Sequence, residues 1–176
     1  MKPNFALSLS HDGIQLFHRS GSGWTLVGDA ALDDPDLAEK LKLLRGKAAD
    51  LGAGGFSTKL ILPDSQILYT TVDTPGPRDT DRAKQIRAAL DGLTPYPVEE
   101  LVYDWIADNG TARVAVVARE TLNEAEAFAT EHRFNPVCFV ARPDATRFPS
   151  EPFFGQTVFA DSFLSRGEVV ERDGEI

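Results

Sequence analysis

The sequence predicts a mixed α/β domain, and three observations carry that prediction. Segments that alternate apolar and polar residues, such as Phe5-Ala6-Leu7-Ser8-Leu9-Ser10, interleave with runs whose apolar residues recur every three or four positions. Glycine, proline, Asp and Asn punctuate the boundaries between them, as turns and caps require. With 176 residues and 42% hydrophobic content, the chain buries one substantial core with room for a small insertion, not two independent domains.

Phe5, Leu7 and Leu9 form the apolar side of a first strand. Asp12-Gly13 supplies a two-residue turn of the kind that positive φ favours, and a second strand follows over Ile14 to His18. Gly21-Ser22-Gly23 makes the next turn and Trp24-Thr25-Leu26-Val27 a third strand, which completes an antiparallel meander. Asp34 caps a helix with Pro35 at its first position, and Leu37, Leu41, Leu44, Ala48 and Leu51 then recur at spacings of four, three, four and three. Gly52 ends that helix, and Thr58 to Leu62 is β-rich.

After Leu62-Pro63 a strand runs from Ile67 to Val72 into the turn Pro75-Gly76-Pro77. Asp79 or Thr80 caps a second helix with Ala83, Ile86, Leu90 and Leu93 on its apolar side, and Pro95 and Pro97 forbid its continuation. Val102 to Ile106 and Arg113 to Ala118 read as strands joined at Asp108-Asn109-Gly110. Thr121 with Glu124 is a capping box for a third helix through His132, and Phe134-Asn135-Pro136 breaks it before a buried strand, Val137 to Val140.

Composition excludes several function classes. The net charge is −9 and the Lys and Arg residues are scattered along the sequence, so neither nucleic acid nor an anionic membrane surface is an expected partner. The single cysteine, Cys138, lies in the apolar run Val137-Cys138-Phe139-Val140, which suits a buried small hydrophobe in a reducing compartment. No long apolar run marks a secretion signal or a membrane span. Leu51-Gly52-Ala53-Gly54-Gly55 lacks the Gly-Lys-Ser/Thr order of a phosphate loop and precedes a strand, so it reads as a helix stop and linker. His11, His18 and His132 share no metal-ligand spacing, Asp33-Asp34-Asp36 matches no calcium loop, and the serines lack a nucleophile elbow. No catalytic residue and no metal site emerges.

Between Lys59 and Trp105 the chain sets Leu62-Pro63, Thr71-Val72, Pro95-Tyr96-Pro97 and Glu99-Glu100-Leu101-Val102-Tyr103-Asp104-Trp105 in an order that generic packing does not demand. In that order it resembles the inserted subdomain of the actin-like proteins of bacterial envelope machines: the pilus assembly protein PilM and the cytoplasmic domain of the type II secretion L component (GspL-like). A weaker resemblance extends from Phe5 to Val140. It implies a single actin-like, ribonuclease H-like lobe with a mixed sheet over residues 1–145, with a small inserted α+β subdomain at about residues 64–108. Residues 146–176 remain as a Phe-rich strap and acidic tail, frayed from Glu168, which looks like the start of a linker in a longer protein. The resemblance further implies that Pro95-Tyr96-Pro97 clamps the inserted helix to the next strand, with the Tyr96 ring buried and neither proline exposed.

ATP-binding members of that fold carry an Asp on the first strand, followed by a glycine-containing turn. The carboxylate helps hold the hydrated cation and the backbone amides cradle phosphate. The resemblance puts Ser8 at the acid's position and Ser10 near the glycine, with Asp12 the one nearby carboxylate; these three are the candidates for nucleotide contact. Only the first of two similar lobes is matched. The expected function is therefore a non-catalytic scaffold domain that uses no cofactor, with a nucleotide-binding lobe of a larger actin-like ATPase-fold protein as the alternative. Its expected partners are proteins, either membrane-complex components or a second copy of the chain. The expected location is the cytoplasm, at the inner face of the membrane through those partners and without insertion.

Two surfaces are the candidates for docking. Phe148, Phe153, Phe154, Phe159 and Phe163 place five of the eleven phenylalanines within sixteen residues; they either fold back over the same domain or, at Phe159 and Phe163, one helical turn apart, anchor a partner. Tyr69 and Tyr103 lie on the short strands of the inserted subdomain, where an exposed edge accepts a further strand.

Overall fold

A computed structural model describes residues 1–21, 23–52 and 55–173. Ser22 of the second turn, Ala53 and Gly54 of the glycine-rich linker and residues 174–176 of the tail lie outside the described residues. Among the described residues, strands and helices follow in chain order: β1 (Phe5–Ser10), β2 (Gly13–Ser20), β3 (Gly23–Ala30), α1 (Leu37–Leu51), β4 (Thr58–Ile61), β5 (Ile67–Asp73), α2 (Asp79–Leu90), β6 (Leu101–Asp108), β7 (Thr111–Ala118), α3 (Arg119–Glu131), β8 (Pro136–Val140), β9 (Phe153–Gln156) and α4 (Val158–Phe163). They build a mixed six-stranded sheet in the order β3-β2-β1-β4-β8-β9 and a three-stranded sheet in the order β5-β7-β6.

The meander places β1 antiparallel to β2 and β2 antiparallel to β3, whereas β1–β4 and β4–β8 are parallel and need helical or longer crossovers. The first turn differs in detail from the sequence reading. Ser10 pairs with Gly13, so His11 and Asp12 form the tip and Gly13 already belongs to the ladder. Gly13 sits at φ +145°, and a Cβ there would come within 2.5 Å of the Ala30 carbonyl oxygen, so the site demands glycine for both reasons. Asn109 and Gly110, both at positive φ, close the β6–β7 hairpin between Asp108 and Thr111 as their sequence predicts.

One face of the large sheet carries the main core, where Phe5, Leu7, Leu16 and Leu60 meet Leu41, Leu44 and Ala48 of α1 and Leu122, Ala125 and Ala129 of α3. The small sheet is covered on both sides. Val72, Leu101, Val114 and Val116 face Ile86 and Leu90 of α2, while Ile67, Ala115 and Val117 face the main core. Strand alternation alone produces that division. Because the hairpin joins β6 directly to β7, the second sheet runs on to Ala118, past residue 108.

Besides the caps of α1 and α2, which fall at Asp36 and Arg78 without a side-chain cap bond and not at Asp34 and at Asp79 or Thr80, three local expectations are corrected. α3 begins at Arg119, with Ala118 at its cap and no side-chain cap bond, so Thr121 lies inside the first turn and the Thr121-Glu124 capping box does not form. Pro95, Tyr96 and Pro97 are all exposed, Tyr96 to 37%, with its hydroxyl 3.5 Å from a Glu120 carboxylate oxygen; the clamp is Val98, which is buried in the second core. A Pro-X-Pro segment holds its central residue extended, and here that geometry turns the ring toward solvent. Tyr96→Ala is therefore expected to cost about 1 kcal/mol, below the cost of about 2 kcal/mol for Val98→Ala, as measured by urea denaturation midpoints.

The third correction concerns the tail. The chain from Glu168 to Asp173 is docked: the Met1 amino group donates to the Val169 carbonyl at 2.7 Å, and the Glu171 amide donates to the Met1 carbonyl at 2.8 Å. Val170 is buried in a third apolar cluster on the opposite face of the large sheet, with Ala6, Ile61, Val137 and Ala160. Upstream, Phe148 and Phe154 enter the main core, and β9 extends the large sheet by pairing antiparallel with β8.

Candidate functional site

Around the first hairpin, the β1–β2 tip and the amino-terminal half of α3 enclose a groove of about 330 Å³. Ser10, His11, Gln66, Thr121 and Glu124 provide its polar lining, and among the described residues no lysine or arginine lines it. Ser10 Oγ donates to the Gly13 carbonyl at 3.2 Å, while His11 Nε2 lies 2.8 Å from Ser65 Oγ and bridges to the turn that opens the small sheet. Asp12 is exposed and lines a separate hollow beside Asp29. Ser8 lines neither. It shares the strand side of Ala6, opposite Leu7 and Leu9, so alternation points it away from the groove. The three candidates for nucleotide contact thus do not converge: Ser10 and Asp12 share the hollow beside Asp29, Ser8 lines neither, and the groove that Ser10 borders offers a carboxylate where phosphate requires cations or aimed backbone amides.

The aromatic candidates divide by how far their own chain already uses them. Tyr69 is half-buried; its hydroxyl donates to Asp64 Oδ1 at 2.9 Å, and Arg147 covers its ring at 5.8 Å while reaching Asp64 Oδ2 at 3.0 Å. Burial, reinforced by the hydrogen bond to the Asp64 carboxylate, pushes its phenol well above the usual tyrosine value. Tyr103 is half-buried against the core beneath α2. Phe159 and Phe163 stack on each other at 5.4 Å between ring centroids. Phe163 is 40% exposed and Val158 76%, so this short helix presents the larger apolar step.

α4 is anchored at its start by side chains from outside its own turn and from its cap. Thr157 caps it, its Oγ1 accepting from the Ala160 amide at 2.9 Å and donating to the Pro136 carbonyl at 2.7 Å. From α3, the Glu126 carboxylate accepts the amides of Val158 and Phe159 at 3.1 and 3.0 Å, meeting the positive end of the helix with a negative charge.

Sequence reasoning missed a buried ionic cluster that fastens the tail. Lys59 on β4 and Glu151 are each 2% exposed and meet at 2.6 Å; Lys59 also donates to Asp173 at 3.1 Å, and Arg19 donates to Asp173 at 2.6 Å. The Trp24 ring lies 4.6 Å from the Lys59 ammonium and 4.4 Å from the Arg19 guanidinium. Burial pushes the Glu151 carboxyl up to about 7 against the pull of Lys59. Burial acts the same way on Asp173, but hydrogen bonds from Arg19 and Lys59 outweigh it and hold that carboxyl below its usual value. A parallel link joins the tail to the small sheet: Arg172 donates to both oxygens of Asp104, at 2.6 and 3.0 Å, and Asp104 also accepts the Phe153 amide at 2.9 Å. The one signal available was Lys59 itself, a cation inside the apolar run Lys59-Leu60-Ile61-Leu62 that needs a partner.

Cys138 is 2% exposed, and burial pushes its thiol up to about 12. It is expected to resist alkylation in the native protein and to react fully in denaturant, which a thiol-reagent titration in both conditions checks.

The class these features define is an α/β fold with a mixed six-stranded sheet and a second, smaller sheet. No protein-family model matches the sequence, and no curated protein matches it. Among solved structures, the fold is similar to the cytoplasmic domain of EpsL, an inner membrane component of the type II secretion system of Vibrio cholerae, with a TM-score of 0.58 and 15% identity over 94% of this chain and 79% of that one. It is similar also to a chain of the PilM-PilN type IV pilus biogenesis complex, with a TM-score of 0.58 and 19% identity over 85% of this chain; this chain spans 50% of that one's length. These are the two groups whose motifs the stretch from Lys59 to Trp105 resembles. At such identities the likeness is one of fold.

Proposed function

We propose that this chain is a non-catalytic interaction domain: a single actin-like, ribonuclease H-like lobe serving as a cytoplasmic scaffold of the kind that works in pilus assembly or type II secretion. The observation that carries the reading is the likeness in fold to the EpsL cytoplasmic domain over 94% of the chain. In this reading residues 1–145 are the lobe, residues from about 64 to 108 contribute its inserted subdomain, and residues 146–176 are the strap and acidic tail. Proteins are its partners, a membrane-complex component or a second copy of the chain, met at the inner face of the membrane without insertion. Among the described residues no helix is long and apolar enough to cross a membrane.

Phe159 and Phe163 supply the docking anchors in this proposal, because their helix is fixed at its start and its rings are left partly in solvent. Tyr69 and Tyr103 are secondary, on the two edge strands of the small sheet. Nucleotide is not a ligand: Ser8 stands where the acid is expected, and the groove that Ser10 lines holds, among the described residues, no cation for phosphate. Thermal denaturation with and without Mg-ATP tests this, since a ligand at 100 times its dissociation constant adds about 2.7 kcal/mol of stability. An unchanged transition is expected. A saturable upward shift selects the alternative, a nucleotide-binding lobe of a larger actin-like protein.

A further inference from the structure

Folding gathers cations that the sequence scatters. Lys42 and Arg45 of α1 and Arg133 just beyond α3 line a groove of about 550 Å³, with His132 beside them and, among the described residues, Glu131 as the one carboxylate in its lining. Three permanent cations therefore face one anion, on a chain whose net charge is −9. Lys40, one residue from Lys42, is already neutralised by Asp34. Among the described residues, neither Lys42 nor Arg133 forms an ion pair.

The Arg45 side chain and the backbone of Arg133 are held in place. Arg45 is half-buried, its Nε donates to the Arg133 carbonyl at 3.0 Å, and its guanidinium lies 5.9 Å over the Phe56 ring, so its terminal nitrogens are presented at a fixed position. Arg133 adopts φ +61° where α3 ends, a conformation that the bonds from its own amide to Thr130 and from the Phe134 amide to Ala129 secure. The His132 ring packs at a tilt against Phe128, with centroids 4.7 Å apart.

We infer that this groove docks a short acidic segment of a polypeptide. The half-buried Arg45 lines the groove together with exposed Lys42 and Arg133, so a narrow extended segment that enters the groove brings its alternate carboxylates to all three cations, whereas a flat bilayer engages the exposed pair. The net charge of −9 further opposes approach to an anionic membrane or to a nucleic acid, each of which engages a broad face. A peptide carries its charge locally and avoids that repulsion beyond roughly 10 Å at 0.1 M salt. The site lies on α1 and α3 and uses none of the aromatic anchors proposed above, so either surface can fail alone.

The test is fluorescence anisotropy with a labelled peptide about ten residues long that alternates Asp or Glu with Gly, against an Asn/Gln counterpart, across salt concentrations over which the Debye length falls from about 30 to about 10 Å. Saturable binding of the acidic peptide alone is expected, weakening with salt. Lys42→Glu with Arg133→Glu, both at exposed positions, should lower the affinity by about tenfold or more, while Lys84→Glu on α2 leaves it unchanged. Should the double reversal lose its cooperative melt, Arg133→Gln gives the same reading with a smaller loss. The inference is overturned by absent saturation at low salt, by equal losses from Lys84→Glu, or by tighter binding to phosphatidylserine vesicles or an oligonucleotide than to the peptide.

Discussion

Deleting residues 148–176 is expected to abolish cooperative unfolding and to leave an aggregating chain. The segment carries Phe148, fully buried in the main core, and Phe154, 5% exposed there; truncating either ring to Ala alone is expected to cost about 3–5 kcal/mol. Its loss also removes β9 from the edge of β8, leaving an unpaired strand edge, and takes Glu151 and Asp173 away from Lys59. Against a total stability of about 5–15 kcal/mol for a domain of this size, those losses together leave nothing. Circular dichroism melts and light scattering of the truncated protein check the result. A truncated chain that stays folded and monomeric would make the whole strap a docking arm. Cutting after Arg166 is a gentler form of the experiment: it spares the phenylalanines and removes only the docked run that holds Val170 and Asp173.

Replacing Lys59 with Met is expected to destabilise the protein by about 3–5 kcal/mol at pH 8, because two buried carboxylates then face each other without their shared cation. The cost should shrink at pH 5. Burial raises the Glu151 carboxyl to about 7 in the folded chain, against 4.5 for the free group, so the folded state binds the additional proton between those values. Stability from this group is complete below the unfolded value and is lost as pH rises through about 7, a swing of about 3 kcal/mol. Glu151→Gln, which keeps the volume and removes the titration, should flatten that slope. Paired replacement by Met at 59 and Leu at 151 should recover most of the loss, as buried ion pairs exchanged for apolar pairs usually do. Urea midpoints at pH 5 and pH 8 for the four proteins decide it; a loss equal at both values would mean that Glu151 does not take up a proton in this range.

Local rules made much of the fold readable. The alternation of Phe5, Leu7 and Leu9, the helical spacing of Leu37, Leu41, Leu44 and Ala48, and the Asp108-Asn109-Gly110 turn each describe neighbouring residues, and each element appears where its pattern stands. Long-range pairing was not readable. Nothing near Phe153 announces that it will pair with Val140 across the sheet edge, and Lys59 meets partners 92 and 114 positions away. Thr121 and Tyr96 show the opposite error, in which a motif sound by itself was overruled by where the preceding strand ended or the ring pointed. At the candidate sites, sequence gave the residue types but not their directions: Ser8 lies on the far side of its strand from the groove that Ser10 lines, and Tyr69 already spends its hydroxyl on Asp64. The cations of the α1–α3 groove look scattered in the sequence because Lys42 and Arg133 stand ninety-one positions apart.

Site-specific photo-cross-linking in living cells tests the scaffold reading most directly. A photoreactive amino acid replaces Phe163 in one strain and exposed Asp91, at the end of α2, in another. A discrete protein adduct at position 163, absent at position 91 and abolished by Phe159→Ser, is the predicted result. No adduct at position 163, or equal adducts at both positions, would contradict docking through the stacked phenylalanines of α4.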